Sequence, residues 1–200
     1  MHTILLACLL LAQKEQKQDL KKVWKAGKPF ETMFKKLPPT VKFEDESVTL
    51  KNRGLLLSKK EHKKGLRLSF TWEWVEGEGN YPDILVVALK TDGKQREWPG
   101  EIDHGIVVRF SPGRTAIERW KSGEDSEVIA FKAVTIKKET QYKIVIEEKN
   151  GDVTVTIDDE RLTARVEGGK KSRVAIFNRE PVAQVLHVSR IMNLRLVPKK

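Results

Sequence analysis

Apolar side chains recur at every second position along much of this chain, and the clearest run is QYKIVIEEKNGDVTVTIDDERLTARV, residues 141–166. Tyr142, Ile144 and Ile146 fall on one face of a first strand, and Val153, Val155 and Ile157 on one face of a second, because successive side chains of an extended chain point to opposite sides. Asn150-Gly151 between them is the residue pair that most readily takes the two positive φ angles of a tight hairpin turn. Asp158-Asp159-Glu160 makes a second reversal into residues 161–166. Three antiparallel strands sharing one apolar face need a second sheet laid against them.

The same period continues outside that run. In residues 66–75, LRLSFTWEWV, one face carries Leu66, Leu68, Phe70, Trp72 and Trp74 and the other Arg67, Ser69, Thr71 and Glu73. The company of Leu66, Leu68 and Phe70 places the tryptophan pair in the core rather than on a sugar platform. Residues 84–89, ILVVAL, are apolar on both faces and read as a central strand covered on both sides. Further strands are expected near 47–51, 54–58, 105–110, 114–120, 128–136, 173–178 and 185–197, with turn residues between them. So many short strands with hardly any helical period predict an all-β fold, a two-sheet antiparallel jelly-roll sandwich.

The first forty residues break the pattern. Residues 14–36 hold eight lysines against three acids, which is half of the net charge of +10. A short helix there would put Leu20, Val23 and Trp24 on one side, but Gly27, Pro29 and Pro38-Pro39 interrupt it, so the folded domain is expected to begin near Thr40. Charge concentrated in one stretch points to solubility or weak attraction to anionic surfaces and away from a nucleic-acid groove. MHTILLACLLLA at the start is apolar for nine residues from Ile4 to Ala12, too short to span a bilayer but suited to a secretory signal. The layout expected is a signal peptide at 1–12, a basic approach segment at 13–39 and one sandwich domain at 40–200. That describes an exported protein, periplasmic or extracellular, monomeric and without a membrane span. Leu5-Leu6-Ala7-Cys8 also has the form of a lipoprotein box, which would instead anchor the chain through Cys8. Cys8 is the only cysteine, so no intramolecular disulfide is available and the core alone must hold the fold. With 33% charged and 39% hydrophobic residues, the 200-residue chain can build such a core.

The hairpin and third strand, Y-K-I-V-I followed by N-G-D-V-T-V-T-I-D-D, resemble the late strands of the concanavalin A-like lectin/glucanase sandwich. Residues 104–120, HGIVVRFSPGRTAIERW, resemble the N-S-G-I-x-x-R and E-x-Q-I segments of the bacterial 3-keto-disaccharide hydrolase domain family, and VSRIMNLRLV at 188–197 its last strand. The likeness spans residues 48–197, with Asp103-His104 standing where that family has Asn-Ser. It implies two curved sheets and a concave face that commonly receives glycans, either as an oligosaccharide- or polysaccharide-binding protein or as a hydrolase of a 3-keto-disaccharide or glucan. Gly105, Ile106 and Arg109 match the segment, and Glu118 falls close to its acidic or amide residue. Alternation adds its own support: Arg109 lies on one face of its strand, and Glu118 and Trp120 share a face of the next. If those strands are neighbours, an arginine and a carboxylate supply donors and acceptors for hydroxyls, and an indole stacks on a pyranose. The alternative is a cross-strand ion pair beside a half-buried tryptophan.

Trp98-Pro99-Gly100-Glu101-Ile102-Asp103 resembles the catalytic strand of family 16 glycoside hydrolases. Retaining hydrolysis needs two carboxyls roughly 5–5.5 Å apart. In that family the acid follows the nucleophile by five residues, a position that is Ile106 here. Glu101, Asp103 and Glu118 are therefore the catalytic candidates of an incomplete set, and a non-catalytic role is preferred. His104 and Trp98 join Arg109, Glu118 and Trp120 as candidate ligand contacts. No cofactor is expected: Glu101 and Asp103 are the candidate ligands for Ca²⁺, and two carboxylates are too few to make a site. His62, His104 and His187 stand apart from one another, with no zinc spacing. No nucleophile elbow or phosphate-cradling loop is present. An envelope interaction module with a basic leader is the remaining reading.

Overall fold

The computed structural model describes residues 18–27, 40–77, 85–94, 102–121, 124–167, 172–179 and 187–199. One helical turn, α1 (Leu20–Val23), leads into β1 (Trp24–Ala26), β2 (Thr40–Phe43), β3 (Ser47–Lys51), β4 (Leu55–Ser58) and the long β5 (Leu66–Glu76). Then come β6 (Leu85–Thr91), β7 (Gly105–Ser111), β8 (Arg114–Trp120), β9 (Glu127–Ala133) and β10 (Gln141–Lys149). The chain closes with β11 (Asp152–Ile157), β12 (Glu160–Arg165), β13 (Arg173–Phe177) and β14 (Val188–Pro198). They form two antiparallel seven-stranded sheets, the first in the order β1-β4-β13-β6-β7-β8-β9 and the second β12-β11-β10-β5-β14-β3-β2. This is the jelly-roll sandwich that the alternation predicts.

Register explains why the two layers close. Ile144 lies opposite Ile157 on one side and Phe70 on the other, and Ile146 opposite Val155 and Leu68, so one apolar stripe crosses three strands. Asn150 and Gly151 take φ of 54° and 89°, the paired left-handed turn expected of Asn-Gly. A Cβ on Gly151 would stand 2.8 Å from the Val166 carbonyl oxygen, closer than real Cβ contacts. Gly151→Ala should therefore lower the unfolding free energy by about 2 kcal/mol in urea denaturation; an unchanged midpoint would show that the turn relaxes freely.

Between the sheets, Trp72 of β5 tilts against Phe110 of β7 with ring centroids 5.6 Å apart, and its indole N–H donates to Ser189 Oγ at 3.2 Å. Both tryptophans of β5 are buried in this core, as their strand face predicts. A second apolar cluster, including Leu55, Leu57, Val86, Ala88, Val107, Trp120, Ala175 and Phe177, is separate from the first. Alternation along β6 and β7 places it on the opposite side of the first sheet. Strand β6 sits between β13 and β7 with Leu85, Val87 and Leu89 in one cluster and Val86 and Ala88 in the other. It is the doubly covered strand read from ILVVAL.

Two expectations need correction. The folded unit does not wait for Thr40, because β1 pairs with β4 and Trp24, opposite Ser58, is buried with Leu20 in the main core. Lysines on both sides of these apolar residues gave the segment the look of a solvated leader. The strand expected over 128–136 stops at Ala133, where Val134 and Ile136 donate instead to the carbonyls of Gly113 and Pro112. The outer face of the second sheet is polar, with Arg67–Glu147 at 3.1 Å, Lys199–Glu147 at 3.2 Å and Arg190–Glu73 at 3.2 Å. No helix among the described residues is long and apolar enough to cross a membrane. Residues 1–12, Cys8 included, lie outside the described residues.

Candidate functional site

The site is built on β7 and β8, which the short Pro112-Gly113 turn makes direct neighbours in the order Gly105–Trp120, Val107–Glu118 and Arg109–Ala116. In β7, Ile106, Val108 and Phe110 enter the main core, so Gly105, Val107 and Arg109 must face outward, together with Ala116, Glu118 and Trp120 of β8. Arg109 and Glu118 are diagonal neighbours on that face. Arg109 Nη2 stands 3.0 Å from Glu118 Oε1, with the arginine side chain 12% exposed and the carboxylate 1%. The other carboxylate oxygen, Oε2, accepts the indole N–H of Trp120 at 2.9 Å. The two residues are i and i+2 on one strand, which is why their side chains run side by side.

The three residues that alternation singled out are thus brought together, but in an order the sequence did not disclose. Trp120 orients Glu118, Glu118 holds Arg109, and Arg109 is the member that reaches solvent. Trp120 itself is 2% exposed, and the Arg179 guanidinium lies over its ring at 5.7 Å from the centroid. Its ring is therefore packed as part of the protein, in line with the reading of a cross-strand ion pair beside a tryptophan and not with the one that stacks the indole on a sugar. The reason is non-local: Arg179 follows β13, three strands away in the sheet.

At the entrance to β7, Asp103 and His104 are partly exposed, with Nδ1 of the imidazole 3.5 Å from Asp103 Oδ2. The Asp103 N–H donates to the Lys94 carbonyl at 2.8 Å. Trp98 and Glu101 lie outside the described residues. Ile106, at the position where family 16 enzymes have the acid, is buried in the core and can transfer no proton. Glu118, the remaining catalytic candidate, has both oxygens turned to Arg109 and Trp120. Among the described residues no group of three or more His, Cys, Asp or Glu side chains is placed to hold a metal ion.

Sequence reasoning missed the surface beside this pair. Edge strand β9 joins β8 with Phe131 opposite Ala116 and Val128 opposite Glu118, so both lie on the face that bears Arg109. Phe131 is 65% exposed and Val128 44%. The run Val128-Ile129-Ala130-Phe131 has no alternation to reveal which side chains face out. A bulge at Ile117/Glu118 resets the register there, and only the pairing shows it.

No protein-family model matches the chain, and no curated protein sequence does. Solved structures share its fold. The carbohydrate-binding module CBM66 from Bacillus subtilis is 11% identical with a TM-score of 0.63, the match covering 87% of this chain and 94% of that one. The metal-free carbohydrate recognition domain of Emp46p is 16% identical, TM-score 0.62, over 94% and 93% of the two chains. Alginate lyase A1-II′, of polysaccharide lyase family 7, is 12% identical, TM-score 0.60, over 92% and 98%. At such identities the likeness establishes the jelly-roll sandwich, and a fold does not by itself choose between binding and catalysis.

Proposed function

We propose that the protein is an exported, non-catalytic glycan-binding sandwich whose site lies on the outer face of the first sheet around Arg109. The observation that carries this reading is the tryptophan-pinned Arg109–Glu118 pair, whose arginine side chain stays 12% exposed beside an outer cluster of Leu, Val, Ala and Phe that is itself buried. Withdrawing two charges from water stabilises a fold no more than apolar side chains of the same size would. What the pair does provide is a guanidinium of fixed orientation, suited to neighbouring hydroxyls of a sugar. His104 and Asp103 add polar groups at the end of the same strand, and Trp98 belongs to the proposed contacts by its place in sequence. A carbohydrate-binding module and a carbohydrate recognition domain of this fold support the same reading.

The test is a glycan array followed by titration calorimetry, with and without Ca²⁺. We expect a Kd between micromolar and millimolar. Arg109→Lys keeps the charge opposite Glu118 but loses the planar fork, and should weaken binding about tenfold while the protein stays folded. Unaltered affinity in that variant removes Arg109 from the site. A hydrolase of a 3-keto-disaccharide or glucan is the second reading, favoured by the partly exposed Asp103 and His104 where the resemblance places that family's Asn-Ser. Product release from either substrate, lost in Asp103→Asn, would establish it over the first.

A further inference from the structure

We infer that Phe131 is the stacking platform of this site, receiving the apolar face of an uncharged pyranose whose hydroxyl edge is turned toward Arg109. The inference rests on the glycan-binding reading above and names the sugar class and the aromatic residue that reading lacks. Three large hydrophobic side chains are exposed among the described residues, Val128, Phe131 and Val197, and the first two share one face of β9. Phe131 is the aromatic one, and its strand partner Ala116 is in turn the partner of Arg109. With strands about 4.8 Å apart, the backbones of Phe131 and Arg109 are about 10 Å apart across Ala116. One sugar ring and an arginine side chain together span that distance. A phenyl ring presents a flat apolar surface to the C–H groups of a pyranose, and Val128 extends it along the strand.

An exposed apolar edge strand has another possible occupant, a strand from a second chain, and β9 is built against it. Lys132 reaches across to Glu160 of β12 in the other sheet, Glu127 pairs with Arg119, and the bulge beside Ile129 interrupts the ladder. Charges and bulges of this kind are what keep sheet edges from adding strands. The apolar surface that remains is on the face and suits a ligand lying flat. The polar groups buried on that face, Arg109 with Glu118, form an ion pair of no net charge, which matches hydroxyls better than uronates, while Arg114, on the same face of β8 two residues from Ala116, is exposed and solvated.

The experiment is calorimetric titration of the full chain with cellohexaose, mannohexaose and, as the acidic comparison, an oligogalacturonate. Phe131→Ala should weaken binding of a neutral oligosaccharide about five- to tenfold with an unchanged circular-dichroism melt. Phe131→Trp should restore it within about twofold, and the new indole should change its fluorescence on adding sugar. Val197→Ala is the control for general loss of exposed apolar area. If the wild type binds a neutral sugar and Phe131→Ala binds it equally well, the platform is wrong while the glycan-binding reading stands. Binding of the oligogalacturonate alone overturns the uncharged class. Failure of the wild type to bind any of the three removes the glycan-binding reading and this subsite with it.

Discussion

Lys90→Met is expected to lower the unfolding free energy by about 3–5 kcal/mol, the loss seen when one member of a buried ion pair is removed and the other stays. Lys90 Nζ lies 2.7 Å from Glu148 Oε1, with the lysine side chain 17% exposed and the glutamate 1%. Lys90 is the penultimate residue of β6 in the first sheet and Glu148 ends the inward face of β10 in the second, so the pair fastens one sheet to the other. The geometry is unusual for a lysine. Simple alternation would send Lys90 outward with Val86 and Ala88, but it takes φ of 52° at the irregularity where β6 meets β13. Glu148 Oε1 also accepts the Gly151 N–H at 3.0 Å, so the same carboxylate holds the Asn150-Gly151 turn. Methionine keeps the length of the side chain and bears the same backbone strain, which isolates the charge. Glu148→Gln should cost less, since a neutral amide can still accept from Gly151. In Lys90→Met/Glu148→Gln most of the loss should return, because no lone charge is left buried and the amide still accepts from Gly151. An unfolding free energy from urea denaturation of Lys90→Met within about 1 kcal/mol of wild type would mean that water reaches the carboxylate.

The second large effect is on acid stability. His187 is fully buried just before β14, its ring 6.0 Å from that of Trp74, and neither ring nitrogen has a hydrogen-bond partner among the described residues. Its backbone is locked by a reciprocal exchange with Asn52: the Asn52 N–H donates to the His187 carbonyl at 2.7 Å, and the His187 N–H to Asn52 Oδ1 at 3.2 Å. Burial holds the imidazole neutral and pushes its pKa from 6.5 down to about 4. The unfolded chain therefore takes up a proton below pH 6.5 that the folded chain refuses, and stability falls as pH drops from 6.5 to about 4. By linkage this residue alone should remove about 2 kcal/mol by pH 5 and about 3 kcal/mol by pH 4.

His62, lowered first by burial and then by the charge of Lys60, adds to the loss with the same sign. Glu147 is held below the ordinary carboxylate range chiefly by its hydrogen bond from Lys199, and Glu44 chiefly by its bond from Lys42. Their contributions are present above about pH 4.5 and fade only below it, so the interval from pH 6.5 to 5 reads the histidines. His187→Phe keeps a ring against Trp74 and should flatten most of the slope in that interval. An unchanged slope would assign the acid sensitivity elsewhere.

Much of the sandwich was legible because it is local. Asn150-Gly151 named its own turn, and Leu66 to Trp74 declared a buried face by spacing alone. Residues 84–89 announced a central strand by having no polar face. Trp24 was missed because burial depends on a partner strand, β4, that sequence spacing does not identify. Lys90 was missed because a left-handed backbone at a bulge reverses the direction that alternation assigns. Around the site, the short turn between β7 and β8 made the meeting of Arg109 and Glu118 foreseeable. The packing of Trp120 beneath Arg179 and the exposure of Phe131 were not, since one depends on β13 and the other on a shifted register.

The order of residues along this chain decides where the strands run and which side chains share a face, since an extended backbone turns each side chain by a fixed half-step. Which strands become neighbours, and hence which faces are sealed and which stay open to solvent, was settled only when two seven-stranded sheets closed on each other. Contacts such as Lys90 with Glu148 join residues 58 positions apart, and no period in the sequence encodes a separation of that kind.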